Sequence, residues 1–317
     1  MQYGIPIPSR GPLATPDQIR AIALNAEALG FDLITVADHI VIPQGIASKY
    51  PYSESGAFVN TAGDWIDIFA MLGLLAGITN RVKLLTAVLV VPYRQAVTTA
   101  KMLASIDYLS GGRLIVGCGA GWMAEEFVLV GAPPFAQRGA VTSEYLRAFR
   151  ELWTSPNPSF HGEFVNFSDA SCDPKPAQQP HPPLWIGGES GPAIRRAATL
   201  GDGWFPMPTN PARPLDTLDR FKSGLAEMRG YAAAAGRDPA AIDLCVNSSY
   251  YSLGKPNLNA DGQRRSFSGS AEQIAADIDA YRSLGVGTLL VRAPGGSVAE
   301  VRESMERFNR EVRPLAG

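Results

Sequence analysis

The sequence predicts one α/β domain over residues 1–317, a closed (β/α)8 TIM barrel, and three observations lead to that fold class. Short β-branched runs alternate with helical stretches eight times along the chain. The runs are apolar throughout, as expected of parallel strands covered on both faces. The first run leads into residues 8–12 (PSRGP), a poor phosphate-binding loop, which argues against an open dinucleotide-binding sheet.

The predicted strands are short runs rich in Val, Ile and Leu that lie between turn residues. In chain order they cover residues 2–6, 31–36, 82–91, 113–117, 184–186, 203–205, 242–247 and 288–291. Helices are predicted at residues 16–29, 65–78, 96–109, 124–130, 141–153, 192–200, 215–235, 271–284 and 298–312. Three helix starts match the capping-box pattern: Thr15 with Gln18, Ser270 with Gln273, and Ser297 with Glu300.

Three insertions interrupt this repeat, and none is large enough to form a second domain. Residues 40–63 follow the second strand and should lie over the catalytic face. Residues 155–182 precede the fifth strand and contain a predicted hairpin, 159–167, that turns at His161-Gly162. Residues 249–269 follow the seventh strand and are predicted to form a mobile lid.

The composition excludes several functional classes. The formal net charge is −2, which gives no basis for binding nucleic acid or an anionic membrane surface. No apolar run approaches the roughly 18 residues of a membrane span, and the N-terminus lacks the signal-peptide pattern. The three cysteines and three histidines show no metal-ligand spacing, so no metal is expected. We therefore expect a cytoplasmic protein.

Candidate functional residues are those that follow the strands, because a barrel carries its chemistry at the C-terminal ends of its strands. After the second strand, Asp38 and His39 join an acid to an imidazole that titrates near neutral pH. His39 is therefore a candidate proton donor or acceptor, with Asp38 orienting the ring or a ligand. A structural pair that caps the loop is an equal alternative on the sequence alone.

Two glycine-rich loops follow the fourth and fifth strands. Residues 187–190 (GGES) precede a helix, and consecutive backbone N–H groups at a helix N-terminus favour a phosphate. A simple tight turn is the alternative. Residues 117–122 (GCGAGW) would let a planar ligand approach the backbone, with Trp122 either stacked on that ligand or packed in the core.

Several segments together resemble the luciferase-like monooxygenase superfamily, and within it the branch of oxidoreductases that use the deazaflavin F420. The resemblance is in register over about residues 20–205. It is carried by residues 30–39 (GFDLITVADH), 79–84 (TNRVKL), 91–94 (VPYR), 103–114 (LASIDYLSGGRL), 117–122 (GCGAGW), 126–127 (EF), 137–139 (QRG), 185–190 (WIGGES) and 201–204 (GDGW). It implies a barrel whose mouth binds a flavin-type ring, either F420 or FMN.

The resemblance also implies roles for individual residues. The ring would rest on a bulge at the end of the third strand, with a non-prolyl cis peptide between Ala87 and Val88. Asp38 would contact the ring or its ribityl chain, and His39 would lie at the redox face. Further expected cofactor contacts are Gly119, Arg138, Gly187, Gly188, Glu189 and Ser190, most of them at the phosphate.

One departure limits the reaction that the resemblance implies. Sugar-phosphate dehydrogenases of this branch carry a carboxylate soon after the glycine of strand 4, whereas here the first acids are Glu125 and Glu126. A glucose-6-phosphate type of reaction is therefore not expected. The same resemblance assigns Asp107 and Arg113 to a structural pair beneath the barrel.

The leading functional hypothesis is an F420-dependent oxidoreductase that transfers a hydride between the deazaflavin and a small organic substrate, with His39 as the proton source. The first alternative is an FMN-dependent monooxygenase that uses O2 and reduced FMN supplied by a separate reductase. The second alternative is a barrel that binds a flavin without turnover. A homodimer is expected, since homodimers are common in this family and in general.

Aromatic and basic residues indicate which part of the barrel mouth would face the substrate. Residues 40–63 and their flank carry Tyr50, Tyr52, Phe58 and Trp65, which suits an apolar or aromatic substrate, although such clusters also serve packing. The residues expected on the substrate side are Trp65, Trp122 and Arg292. Arg94 and Arg292 are candidates for meeting an anionic group of the substrate or of the cofactor tail.

Overall fold

The computed structural model describes residues 1–59 and 63–317; residues 60–62, which belong to the first predicted insertion, lie outside the described residues. The barrel strands are β1 Gln2–Pro6, β2 Leu33–Val36, β3 Lys83–Thr86, β4 Leu114–Gly119, β5 Leu184–Gly187, β6 Gly203–Phe205, β7 Asp243–Asn247 and β8 Val286–Leu290. Each strand pairs in parallel with the next, and β8 pairs with β1, so the sheet closes. The predicted barrel is confirmed.

The helices surround this barrel. They are α1 Pro16–Ala28, α2 Ile68–Ile78, α3 Ala96–Leu109, α4 Ala124–Leu129, α5 Arg138–Thr154, α6 Gly191–Leu200, α7 Leu218–Ala234, α8 Ala271–Ser283 and α9 Val298–Arg307. Helix α2 starts later than predicted because the Asp67 side chain accepts the first free backbone N–H groups of the helix. Of the three predicted capping boxes, the one at Ser270 is complete in both directions. None of the described helices is both long and apolar enough to cross a membrane.

Side chains that point to the barrel axis form one closed layer. Its members are Leu33, Leu85, Ile115, Trp185, Phe205, Cys245 and Leu290, all buried. Gly4 makes room for this layer, because a Cβ there would lie 2.6 Å from Leu290 and 2.7 Å from Leu33. Burying a side chain of this size stabilises the fold by roughly 1.5–3 kcal/mol. A ligand at the C-terminal mouth therefore rests on a filled interior.

The expected pair between Asp107 and Arg113 is wrong, although both residues do serve the structure beneath the barrel. Arg113 donates to the carbonyl oxygens of Ala76 and Thr79 at 2.9 Å each. Asp107 is buried and accepts from Gln178 Nε2 at 2.7 Å. The two side chains have other partners because carbonyls at the end of α2 and amides near β4 need hydrogen bonds there.

The predicted hairpin is confirmed within the second insertion, but its turn runs from Gly162 to Val165 because His161 is the last residue of the first strand. Phe160–His161 pairs antiparallel with Asn166–Phe167. The Glu144 carboxylate of α5 accepts the backbone N–H groups of Phe164 at 2.6 Å and of Val165 at 2.8 Å. One acidic side chain thus fixes the hairpin turn against the outer helices.

The third insertion, residues 249–269, is tied by ion pairs to Asp216, which precedes α7, and to Asp277 of α8; its mobility stays a prediction. Arg265 Nε donates to Asp216 at 3.0 Å, and Arg264 forms a two-pronged pair with Asp277 of α8 at 2.6 and 2.7 Å. Phe267 is buried between these pairs. Bidentate arginine–carboxylate pairs fix geometry strongly, so this segment is held against α8.

Candidate active site

The third strand ends in a bulge that leans over the barrel interior. It was predicted to run to residue 91, but β3 stops at Thr86 and pairing resumes at Leu89–Val90. The peptide bond between Ala87 and Val88 is cis, as the resemblance implied. Both residues pack on the inner layer and remain partly exposed toward the mouth.

Glycines of β4 and β5 make space for this bulge. A Cβ at Gly117 would lie 1.9 Å from the carbonyl oxygen of Thr86. A Cβ at Gly119 would lie 2.5 Å from one methyl group of Val88, and a Cβ at Gly187 would lie 2.9 Å from the other. We call the set Ala87, Val88, Gly117, Gly119 and Gly187 the glycine side of the mouth. It offers a flat apolar surface of the kind that a planar ring contacts.

Asp38 holds the bulge in place. Its carboxylate accepts the backbone N–H of Val90 at 3.0 Å and two N–H groups of Arg94 at 2.8 and 2.9 Å. Arg94 also donates to Asp67 at 3.0 Å. Burial lowers the pKa of Arg94, but Asp38 and Asp67 outweigh that effect and raise it above its ordinary value.

This network bears on two predicted residues. Asp38 is buried and both its oxygens have partners within the protein, so its carboxylate positions the bulge, and its contact with a cofactor stays a prediction. Arg94 is neutralised by two carboxylates, so it is not available to bind an anion of the substrate or of the cofactor tail.

His39 is fixed through one ring nitrogen. Its Nδ1 lies 2.6 Å from Oε2 of Glu126, which is fully buried at the start of α4. The same carboxylate accepts the N–H of Ile40 at 2.7 Å and the hydroxyl of Tyr93 at 2.8 Å. Burial and the neighbouring Glu126 raise the pKa of Tyr93, so its hydroxyl stays protonated and donates. Among the described residues, Nε2 of His39 has no hydrogen-bond partner.

Aromatic side chains enclose His39. The centroid of its ring lies 4.6 Å from that of Trp65, 5.4 Å from Phe58 and 6.5 Å from Trp122. Tyr50 lies 5.0 Å from Trp122 on the outer side. The indole N–H of Trp65 is buried, and the part of the chain that the structure describes offers it no acceptor. The predicted residues His39, Trp65 and Trp122 therefore form one cluster with a free ring nitrogen and an unpaired donor.

Glu125 anchors the insertion that carries these aromatics. Its carboxylate accepts the N–H groups of Ala47 at 2.8 Å and of Ser48 at 3.0 Å. The Ser48 hydroxyl in turn accepts the N–H of Ala124 at the start of α4. The two adjacent acids thus have different partners: Glu125 holds the insertion and Glu126 holds His39.

The loop between β5 and α6 has the features of an anion site. Gly188 has φ +99°, a backbone conformation that favours glycine. Ser190 caps α6, and its hydroxyl makes no capping hydrogen bond, so both this hydroxyl and the first N–H groups of the helix are available. Arg138 starts α5; its guanidinium lies over Phe135 at 4.0 Å and has no carboxylate partner within residues 1–59 and 63–317.

Glu189 differs from the other residues of this loop. Its side chain is 2% exposed, one oxygen accepts from Asn210, and Oε2 is buried with no partner among the described residues. Burial raises the pKa of this carboxyl above its ordinary value, against the hydrogen bond from Asn210. The Glu189 side chain is therefore packed inside the protein against Asn210.

The other half of the mouth is polar. A cavity of about 260 Å³ lies at the ends of β1, β2, β7 and β8. Its lining includes Pro6, Thr35, Asn247, Ser249 and Arg292, which we call the polar side of the mouth. Arg292, which was predicted on the substrate side, is exposed here.

Sequence reasoning missed three residues of the site, Glu126, Tyr93 and Asn210. Glu126 had been noted as an acid after strand 4 that would not serve a sugar-phosphate reaction. It belongs to the site through its contact with His39, which lies 87 residues earlier in the chain. An acid in the first turn of a helix that follows a barrel strand is the signal that could have found it.

Comparison with known proteins identifies the family. The family model described as luciferase-like monooxygenase matches residues 1–257. An uncharacterised protein from Mycobacterium tuberculosis is 33% identical over 244 residues, which cover 75% of this chain and 80% of that protein. An FMNH2-dependent dimethylsulfone monooxygenase from Pseudomonas putida is 35% identical over 176 residues, 55% of this chain and 46% of that protein.

Among solved structures, the coenzyme F420 dependent tetrahydromethanopterin reductase from Methanopyrus kandleri matches with a TM-score of 0.76. The match covers 100% of this chain and 99% of that chain at 17% identity, a level that establishes the shared fold alone. The chain therefore belongs to the luciferase-like monooxygenase family, whose members are oxidoreductases or monooxygenases.

Proposed function

We propose that this protein is an F420-dependent oxidoreductase that transfers a hydride between the deazaflavin and a small organic substrate, with His39 as the catalytic proton carrier. The observation that carries the proposal is the buried pair of His39 and Glu126, which leaves Nε2 of His39 without a hydrogen-bond partner among the described residues. When bound, the deazaflavin supplies a hydride at C5 and reacts sluggishly with O2, which suits a reductase or dehydrogenase.

The residues present fit such a cofactor. Ala87 and Val88 would support the ring, and the absence of Cβ atoms at Gly119 and Gly187 keeps that surface clear. Ser190 and the N-terminus of α6 would hold the phosphate, with Gly188 allowing the loop to turn and Arg138 adding a positive charge. Asp38 and Arg94 act as positioning residues, since they fix the backbone of the bulge at Val90.

His39 supplies or removes the proton that must accompany a hydride. A substrate atom that gains negative charge as the hydride arrives would take the proton from Nε2, and the reverse reaction would return it there. Glu126 contacts Nδ1 and thereby fixes the orientation of the ring, with Nε2 left to exchange the proton. Trp65, Phe58 and Trp122 exclude water from this step.

An FMN-dependent monooxygenase is the second candidate. The observation that favours it is the relative from Pseudomonas putida, named an FMNH2-dependent dimethylsulfone monooxygenase, at 35% identity. The same glycine side and phosphate loop would hold FMN, and a separate reductase would have to supply the reduced cofactor. A barrel that binds a flavin without turnover is less favoured, because such a protein would not require a histidine that is positioned by a buried acid.

The test is a titration of the purified protein with F420 and with FMN, followed by the fluorescence of each cofactor. We expect submicromolar binding of F420 and much weaker binding of FMN. Submicromolar FMN affinity with no F420 binding would overturn the choice in favour of the monooxygenase. Binding of either cofactor without redox turnover would favour the non-catalytic barrel. Light scattering on the same samples tests the homodimer that we include in the proposal.

A further inference from the structure

The polar side of the mouth is built from inward-facing positions. Alternate residues of a strand share one face, and Arg292 follows Leu290 of the inner layer by two residues. By the same spacing Asn247 follows Cys245, and Thr35 follows Leu33. The cavity of about 260 Å³ that these residues line is therefore part of the barrel mouth and not a crevice on its outer surface.

This cavity has the size of a small organic ligand. A cavity of about 150 Å³ is large enough for benzene, so a volume of about 260 Å³ accommodates a substituted ring or a short chain. Leu290 and Val291 form its apolar part. Its charged lining residue is Arg292, and no carboxylate of the described residues lines it.

Two side chains of this cavity, Arg292 and Asn247, keep hydrogen-bond donors available to a ligand. Arg292 has one weak contact, 3.4 Å from NH1 to the carbonyl oxygen of Ser249, and no carboxylate partner among the described residues. The amide oxygen of Asn247 accepts the Ser249 hydroxyl at 2.9 Å, which leaves the amide NH2 as a donor. A cationic fork and an amide donor on one wall suit a ligand group that is anionic and accepts several hydrogen bonds.

We propose that Arg292 and Asn247 bind an anionic group of the substrate, a carboxylate, sulfonate or phosphate, so that the substrate class is small organic anions. This inference rests on the proposed function, because it makes the polar side the substrate's half of a redox site whose cofactor occupies the glycine side. Arg292 acts here as a specificity residue. Arg94 could not take this role, since Asp38 and Asp67 already neutralise it.

The experiment is calorimetric titration with benzoate, benzenesulfonate and phenyl phosphate, and with benzamide as a neutral ligand of the same shape. It uses wild type, Arg292→Gln and the matched control Arg20→Gln, which removes an exposed arginine from α1. Each protein is titrated with and without the cofactor that the fluorescence titration identifies. We expect at least one anion to bind wild type about tenfold or more tightly than benzamide.

In Arg292→Gln that preference should disappear while benzamide affinity stays the same, and Arg20→Gln should behave as wild type. Equal affinity for anions and benzamide, or an unchanged anion preference in Arg292→Gln, would overturn the inference. Loss of anion binding once the cofactor is loaded would also overturn it, because the cofactor tail would then occupy the cavity. If neither cofactor binds, the proposed function fails, and the titration of the free protein still tests Arg292 by itself.

Discussion

The two halves of the barrel mouth differ in what their strands carry at equivalent positions. On the glycine side, β4 and β5 present glycines because the bulge at Ala87–Val88 occupies the space that side chains would need. On the polar side, β7 and β8 lead into Asn247 and Arg292, which surround an open cavity. One half therefore offers a flat backbone surface and the other offers directed donors, so one barrel end can bind a planar cofactor and a polar substrate separately.

The largest expected effect comes from His39, which belongs to the aromatic cluster beside the mouth. We expect His39→Asn to slow turnover by about 10²–10⁴-fold, the usual contribution of a positioned proton carrier, and to leave cofactor affinity unchanged. Single-turnover absorbance of the cofactor measures both quantities. His161→Asn is the matched control, because that imidazole lies on the exposed hairpin and should have no effect. Full activity in His39→Asn would remove His39 from the mechanism.

A substitution that adds a single methyl group should disturb the packing of the glycine side. In Gly119→Ala the new Cβ would lie 2.5 Å from Val88, and overpacking of this kind costs about 1–3 kcal/mol of unfolding free energy. We expect weaker cofactor binding as well, since the bulge must move. Gly73→Ala is the control: it lies in α2 with open space around it, and it should stabilise the protein by up to about 1 kcal/mol. Equal urea midpoints for the two variants would show that the glycines are not needed for the bulge.

The orientation of His39 depends on Glu126. We expect Glu126→Gln to lower kcat by about tenfold or more, with the KM for substrate unchanged, because an amide gives the ring a weaker acceptor. Glu125→Gln should instead raise the KM for substrate and leave kcat unchanged, since Glu125 holds the aromatic insertion at Ala47 and Ser48. Identical kinetic changes in the two variants would contradict the division of roles between these neighbouring acids.

The smallest expected effect concerns Glu189 and pH. Because burial raises its pKa, the folded protein retains this proton at pH values where the unfolded chain, with a pKa near 4.5, has released it. The stability that this carboxyl contributes is therefore lost as pH rises from about 4.5 through its folded-state pKa. Glu189→Gln should raise the midpoint of thermal unfolding by about 1–3 °C at pH 7 and leave it unchanged near pH 4. A lower midpoint at pH 7 would mean that the ionised carboxylate is stabilising.

Local signals in the sequence predicted the barrel well. Each strand is a short apolar run, and Thr15, Ser270 and Ser297 mark helix starts that the structure retains. The hairpin at His161 follows from the same local chemistry. Boundaries moved where a side chain outside the expected pattern provided the cap, as Asp67 does for α2. Secondary structure depends mainly on near neighbours, and the sequence shows these directly.

The site was less predictable because its contacts join distant parts of the chain. His39 and Glu126 are 87 residues apart, and Asp38 and Arg94 are 56 apart. The sequence does not reveal which buried acid meets which base, so neither the contact of Asp38 with Arg94 nor that of Glu126 with His39 was predicted. The direction of the Glu189 side chain depends on Asn210 of the next unit, which is also a long-range contact.

The most direct test of the two-sided mouth is a crystal structure of the protein with oxidised F420. We expect the deazaflavin ring against Ala87 and Val88, its phosphate at Ser190, and an open cavity beside Arg292. A ring or phosphate bound at Arg292, with the glycine side unoccupied, would contradict the account.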